Sequence, residues 1–123
     1  MQKKLLVVED DLVLQKTLQD FLSEEGFEVV CASDGEAGLE MVSSQKPDLV
    51  LLDIVLPKKD GYEVLSAVKA NEETKDIPII LLTNLGSMAD VEKAIELGAT
   101  TYLVKADYRL EEVTAKVKEV LEM

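Results

Sequence analysis

The chain contains no histidine and no tryptophan, and its one cysteine, Cys31, has no second thiol to pair with. Internal disulfides, thiolate or imidazole metal sites and histidine-based catalysis are therefore excluded, which leaves carboxylates as the candidate metal ligands. Positive charge is also scarce: 13 basic residues against 25 acidic ones give a net charge of −12. Such a surface repels nucleic acid and anionic membrane, so a DNA-binding role would need another chain or domain. Long apolar runs are missing as well. Leu5 to Val8 is too short for a signal sequence, and acids or lysines interrupt every other stretch before it could span a membrane, so the expected location is cytoplasmic. Cys31 reads as a small buried core residue rather than a redox centre. What remains, 123 residues of which 47% are hydrophobic, is enough for one packed core and too little for two ordinary ones. A single domain over residues 1–123 is expected.

Two periodicities alternate along the chain. Short, β-rich apolar runs (Leu5 to Val8, Glu28 to Ala32, Leu49 to Leu52, Ile79 to Leu82 and Thr101 to Val104) are each followed by a segment with apolar residues three or four apart. Four of the runs are nearly all apolar, as strands covered on both faces must be. The first helical segment carries Leu14, Leu18, Phe21 and Leu22 and ends at Gly26, with Asp11 as its cap. The second is expected to open at Ser33 with Glu36 three residues on. The third opens at Asp60 with Glu63, with Val64, Leu65 and Val68 as its inner stripe. Ser87 and Asp90 open the fourth, which Gly98 closes, and Asp107 is placed to cap the fifth, whose stripe is Leu110, Val113, Val117, Val120 and Leu121. Five strands alternating with five helices imply a doubly wound α/β fold with a parallel sheet and right-handed crossovers.

In open parallel sheets the ligand site lies beyond the carboxyl ends of the strands. Strand one ends in Glu9, Asp10 and Asp11, strand three in Asp53, strand four in Thr83 and strand five in Lys105; strand two ends blandly, which puts it at the edge. Carboxylates of strand one facing Asp53 cannot all stay ionised without a positive charge between them. With oxygen ligands only, Mg²⁺ suits best and Mn²⁺ next. A cation, a lysine and a hydroxyl around a carboxylate are what phosphoryl transfer requires, because its transition state spreads negative charge over equatorial oxygens. In this reading Asp53 is the nucleophile, Asp10 holds metal, Glu9 binds it directly or through water, and Asp11 caps the helix.

The segments Leu5-Leu-Val-Val-Glu-Asp-Asp11 and Leu51-Leu-Asp-Ile-Val-Leu-Pro-Lys-Lys-Asp-Gly61, with Thr83 and Tyr102-Leu-Val-Lys105, resemble the receiver domain of bacterial two-component response regulators across the whole chain. The resemblance implies a flavodoxin-like (βα)5 three-layer sandwich with strand order 2-1-3-4-5, an order for which a chemotaxis receiver is itself a standard example. It implies that Asp53 accepts a phosphoryl group from a sensor histidine kinase or phosphotransfer protein. Glu9, Asp10, Asp53 and the Val55 backbone carbonyl would hold Mg²⁺, and Lys105 and Thr83 would contact the phosphoryl oxygens. It further implies a regulatory domain, not an enzyme acting on other substrates, that catalyses only its own phosphorylation and dephosphorylation. Thr83 and Tyr102 would form a switch that changes the surface of the fourth helix, fifth strand and fifth helix. The expected state is a monomer, with dimerisation on phosphorylation through that surface, and a protein as downstream effector. A chain ending with its fifth helix fits a stand-alone regulator and a piece of a longer protein equally well.

Two positions depart from the family pattern. Lys105 is followed by Ala106 where a cis proline is usual, and a non-proline cis bond costs about 3 kcal/mol, so a trans bond is expected. Asn84 follows Thr83 where a small residue is common; its bulk should hinder water and prolong the phosphorylated state. Rapid dephosphorylation unaffected by Asn84→Ala would contradict that expectation. Rival readings fare worse. A flavin-binding protein of this fold needs a phosphate-cradling loop after strand one, where this chain has three acids. A haloacid-dehalogenase-type phosphatase needs a second acid two residues after its nucleophile, where this chain has Val55. A degenerate receiver serving only as an interaction module is the remaining alternative, although no member of the acid and lysine set is missing.

Overall fold

Each of the five apolar runs forms a strand, and all five join one parallel sheet. In the computed structural model the chain runs β1 (Lys4–Val8), α1 (Leu12–Glu24), β2 (Glu28–Ala32), α2 (Gly35–Gln45), β3 (Leu49–Asp53), α3 (Gly61–Ala70), β4 (Ile79–Thr83), α4 (Met88–Glu96), β5 (Thr101–Val104) and α5 (Leu110–Val120). Residues 2–83, 88–104 and 109–122 are described, with backbone only at 83 and 88–90. The strand order is β2-β1-β3-β4-β5, the flavodoxin-like order expected above.

The continuous apolar character of the strands is explained by their two covered faces. Residues alternate between faces along a strand, and two separate cores result. On one side Leu6, Val8, Val50, Leu52, Ile79 and Leu81 pack with Val42 of α2, Val64, Leu65 and Val68 of α3 and Ala94 of α4. On the other, Leu5, Val7, Leu49, Leu51, Ile80, Leu82 and Leu103 pack with Leu18 and Leu22 of α1 and Val113 and Val117 of α5. Every residue of the central strand β3 is buried, Asp53 included. Full burial of each of these leucines contributes roughly 1.5–3 kcal/mol, so the sheet is a rigid platform for whatever lies at its carboxyl edge.

The helix ends follow local chemistry, with departures from expectation at α2 and α5. Asp11 caps α1 as expected, its side chain accepting from the backbone N–H groups of Val13 and Leu14. Gly26 takes the left-handed conformation (φ 98°) after that helix, and Gly98 (φ 112°) does so after α4. The second helix starts one residue later than expected. Its cap is Asp34, which accepts from the Ala37 N–H at 2.7 Å, while the Ser33 hydroxyl is engaged by the Gln15 side chain at 3.2 Å. Asp60 caps α3 by accepting from the Glu63 N–H at 2.9 Å. The last helix opens after Arg109 and has no side-chain cap; Asp107, like Ser87, lies outside the described residues. Cys31 is only half-buried, at the edge strand β2, contrary to the expectation of full burial. Desolvation there still pushes its thiol pKa up from the ordinary value, which keeps it protonated at neutral pH and poorly nucleophilic.

Candidate metal centre at the carboxyl edge of the sheet

The parallel register decides which strand-end residues can meet. Val8 is paired with Ala32 on one side and Leu52 on the other, so Glu9 and Asp53 are the next residues on adjacent strands. Asp53 is level with Leu82, and Thr83, one position further, is level with Val104. Glu9, Asp10 and Asp53 therefore come together, each offering a carboxylate oxygen, with all three oxygens within 4.8 Å of one another. Glu9 is fully buried and Asp53 is 5% exposed, whereas Asp10 is exposed.

This acid cluster is organised by backbone donors. The Asp11 N–H donates to Glu9 Oε2 at 3.1 Å, and the Val55 N–H donates to Asp53 Oδ1 at 3.3 Å. The loop from Ile54 to Asp60 turns back tightly: the Gly61 N–H donates to the Ile54 carbonyl at 2.7 Å, and the Gly35 and Lys59 N–H groups both donate to the Pro57 carbonyl, at 3.2 and 2.8 Å. Lys58 holds a left-handed conformation (φ 68°) in this turn, and its ammonium lies 3.7 Å from the carboxylate of Asp34. The loop from β3 to α3 is thereby fastened to the start of α2.

The donor set is chemically coherent. Three carboxylates at this spacing repel one another. A hard divalent cation converts that repulsion into ligation. The oxygen-only donors suit Mg²⁺ or Mn²⁺, and the exposed Asp10 leaves one side open to solvent, as a Mg²⁺ ion that retains several waters requires. The side chain of Val55 is 66% exposed on that same rim. Lys105 and the Lys105–Ala106 bond lie outside the described residues, as does Asn84, and of Thr83 only the backbone at the end of β4 is described. Tyr102 does not join the acids. It is half-buried and packs against the core on the side of α2, α3 and α4.

One residue at this edge escaped sequence reasoning. Gln15, one turn into α1, directs its side-chain amide back towards the strand ends, 2.9 Å from the Glu9 carbonyl, 3.2 Å from the Ala32 carbonyl and 3.2 Å from Ser33 Oγ. A glutamine on a solvated helix carries no motif; only the proximity of α1 to the ends of β1 and β2 reveals it.

Both the sequence and the fold have close counterparts among known proteins. The sequence model of the response regulator receiver domain matches residues 5–118. The chain is 42% identical over 120 residues to ycf27 of Cyanophora paradoxa, named a probable transcriptional regulator, covering 98% of this chain and 48% of that protein. It is 40% identical over 121 residues to the alkaline phosphatase synthesis transcriptional regulatory protein PhoP of Bacillus subtilis, covering 98% and 49%. It thus spans about half the length of the curated relatives it matches. Among solved structures, one described as a response regulator from Chloroflexus aurantiacus matches at TM-score 0.93 and 32% identity, over 100% of both chains. With the family model covering nearly the whole chain and the fold agreeing strand for strand, this chain belongs to the response regulator receiver domains of two-component systems.

Proposed function

We infer that this receiver is a working phosphoryl switch, in which Asp53 takes a phosphoryl group from the phosphohistidine of a sensor kinase or phosphotransfer protein. The observation that carries this reading is the convergence of the Glu9, Asp10 and Asp53 carboxylates within 4.8 Å. An Asp53 oxygen attacks phosphorus as the bond from phosphorus to the imidazole nitrogen breaks, and the imidazole leaves. Glu9, Asp10 and Asp53, with the Val55 carbonyl, would hold Mg²⁺. When bound, that ion neutralises the charge that builds up on the equatorial oxygens. Lys105 supplies a further positive charge and Thr83 a hydroxyl donor to the same oxygens. The exposed Asp10 side of the site is the side from which a donor phosphate can approach.

In the switched state Thr83 moves towards the phosphoryl group and Tyr102 turns inward, which alters the surface formed by α4, β5 and α5. A shift from a rare to a dominant active packing needs roughly 3 to 5 kcal/mol of differential interaction. The downstream partner is proposed to be a protein, or a second copy of the chain, because the −12 net charge disfavours direct contact with nucleic acid. No helix among the described residues is long and apolar enough to cross a membrane. A degenerate module without phosphoryl chemistry would not need three converging acids, two of them buried.

The metal role is tested with Asp10→Asn. The Mg²⁺ concentration that half-saturates phosphorylation by acetyl phosphate should rise by on the order of tenfold or more. An unchanged Mg²⁺ dependence would remove Asp10 from the metal site.

A further inference from the structure

We propose that Gln15 is the positioning residue of the metal centre: its side-chain amide sets the peptide unit joining Glu9 to Asp10, and so the angle between their two carboxylates. This inference rests on the metal reading above. The backbone of Glu9 is held on both sides. Its N–H donates to the Ala32 carbonyl at 3.0 Å, which extends the β1–β2 ladder by one step. Its carbonyl, past the end of the ladder, takes its donor from Gln15 Nε2 at 2.9 Å. That carbonyl belongs to the peptide plane shared with Asp10. Rotation of the plane would swing the Asp10 side chain relative to that of Glu9, and with it one of the converging ligand oxygens.

The amide is not confined to the Glu9 carbonyl. The same nitrogen reaches the Ala32 carbonyl and Ser33 Oγ, both at 3.2 Å, and so ties the β1–α1 loop to the end of the edge strand β2. The loop is secured from its other end by the Asp11 carbonyl, which accepts from the Gln15 N–H at 2.9 Å. Gln15 is therefore both a helical residue of α1 and the group that holds the acid loop in register with β2. A loop carrying three consecutive acids gains conformational freedom when such a tie is removed, and ordering it on binding would reduce metal affinity. Groups that orient metal ligands typically matter by ten- to a hundredfold in affinity.

The test measures Mn²⁺ binding directly, from the free Mn²⁺ signal in electron paramagnetic resonance, for wild type, Gln15→Met and Gln15→Asn. Methionine keeps the length and removes the donors; asparagine keeps the donors but is one methylene too short to reach the Glu9 carbonyl. Both should bind Mn²⁺ about tenfold more weakly than wild type, at temperatures where circular dichroism shows them fully folded. Thr74→Val provides the control for lost stability. Its hydroxyl donates to the Val68 carbonyl at 2.8 Å in the loop before β4, at the opposite edge of the sheet. It should lower the melting temperature and leave Mn²⁺ affinity unchanged. Wild-type affinity in folded Gln15→Met or Gln15→Asn would overturn the proposal, as would an equal loss of affinity in Thr74→Val. Absence of Mn²⁺ binding by wild type would instead remove the metal reading, and this inference with it.

Discussion

Incubated with acetyl phosphate and Mg²⁺, the wild-type chain should gain one phosphoryl group in its intact mass, and Asp53→Asn none. Without Mg²⁺ neither should react. The asparagine variant isolates the nucleophile because it disturbs little else. Its amide oxygen can still accept the Val55 N–H that Asp53 Oδ1 accepts at 3.3 Å, and the side chain keeps its volume in a site that is 5% exposed. It also removes one of three clustered negative charges, so in the absence of divalent ions Asp53→Asn should melt higher than wild type. Relief of about 1 kcal/mol corresponds to about 4 °C for a chain of this size. Added Mg²⁺ should narrow or reverse the gap, since a ligand at ten times its Kd stabilises the folded state by about 1.4 kcal/mol. An adduct on Asp53→Asn would move the acceptor elsewhere. A wild-type chain that neither reacts nor is stabilised by Mg²⁺ would be a degenerate receiver.

Gly61→Ala should be a severely damaging single-methyl change beside the acid cluster. A Cβ built on Gly61 would lie 2.4 Å from the Asp53 carbonyl oxygen, 2.6 Å from the Ile54 Cα and 3.1 Å from the Asp53 carbonyl carbon. All three are backbone atoms of β3 or the residue after it, so no side-chain rotation relieves the overlap. The main chain must move instead, breaking or lengthening the 2.7 Å bond from the Gly61 N–H to the Ile54 carbonyl. A cost of about 3 kcal/mol is expected for such overpacking, or roughly 10 °C in melting temperature. The displaced backbone carries Asp53, so the rate of Mg²⁺-dependent phosphorylation should fall at least tenfold in whatever fraction remains folded; misplacement by about 1 Å is known to cost up to a hundredfold. Gly26→Ala is the contrast. A Cβ there meets nothing within 4 Å, and only its left-handed φ of 98° is penalised, about 1 kcal/mol, with no effect on the phosphorylation rate. Gly61→Ala with wild-type melting and rate would show that the approach of α3 to β3 is slack.

Pattern alone locates a glycine after Asp60; what it cannot supply is the distance between the first turn of α3 and the backbone of β3. The same holds for Ser33. As a residue type it is as good a cap as Asp34, and the choice between them was settled by Gln15, a residue 18 positions earlier that engages the Ser33 hydroxyl. Cys31 was expected in the core because cysteine is usually buried, yet β2 is the edge strand and has a neighbour on one side only.

Fold class, the five strands and five helices, and the identities of the clustered acids were legible in the chain, because they depend on quantities local in sequence. Those quantities are a period of two or of about 3.6 residues, a cap or a left-handed glycine at a helix end, and an acid after an apolar run. Charge and composition likewise excluded thiolate and imidazole chemistry before any coordinate was known. Tertiary structure alone decided the matters of distance between segments remote in sequence. The parallel register places Glu9 beside Asp53, 44 residues on, and brings their carboxylates and that of Asp10 within 4.8 Å. The packing of α1 turns an unremarkable glutamine back onto the Glu9 carbonyl. Local chemistry selects the elements; the angles between ligands belong to the way those elements pack, which no single segment encodes.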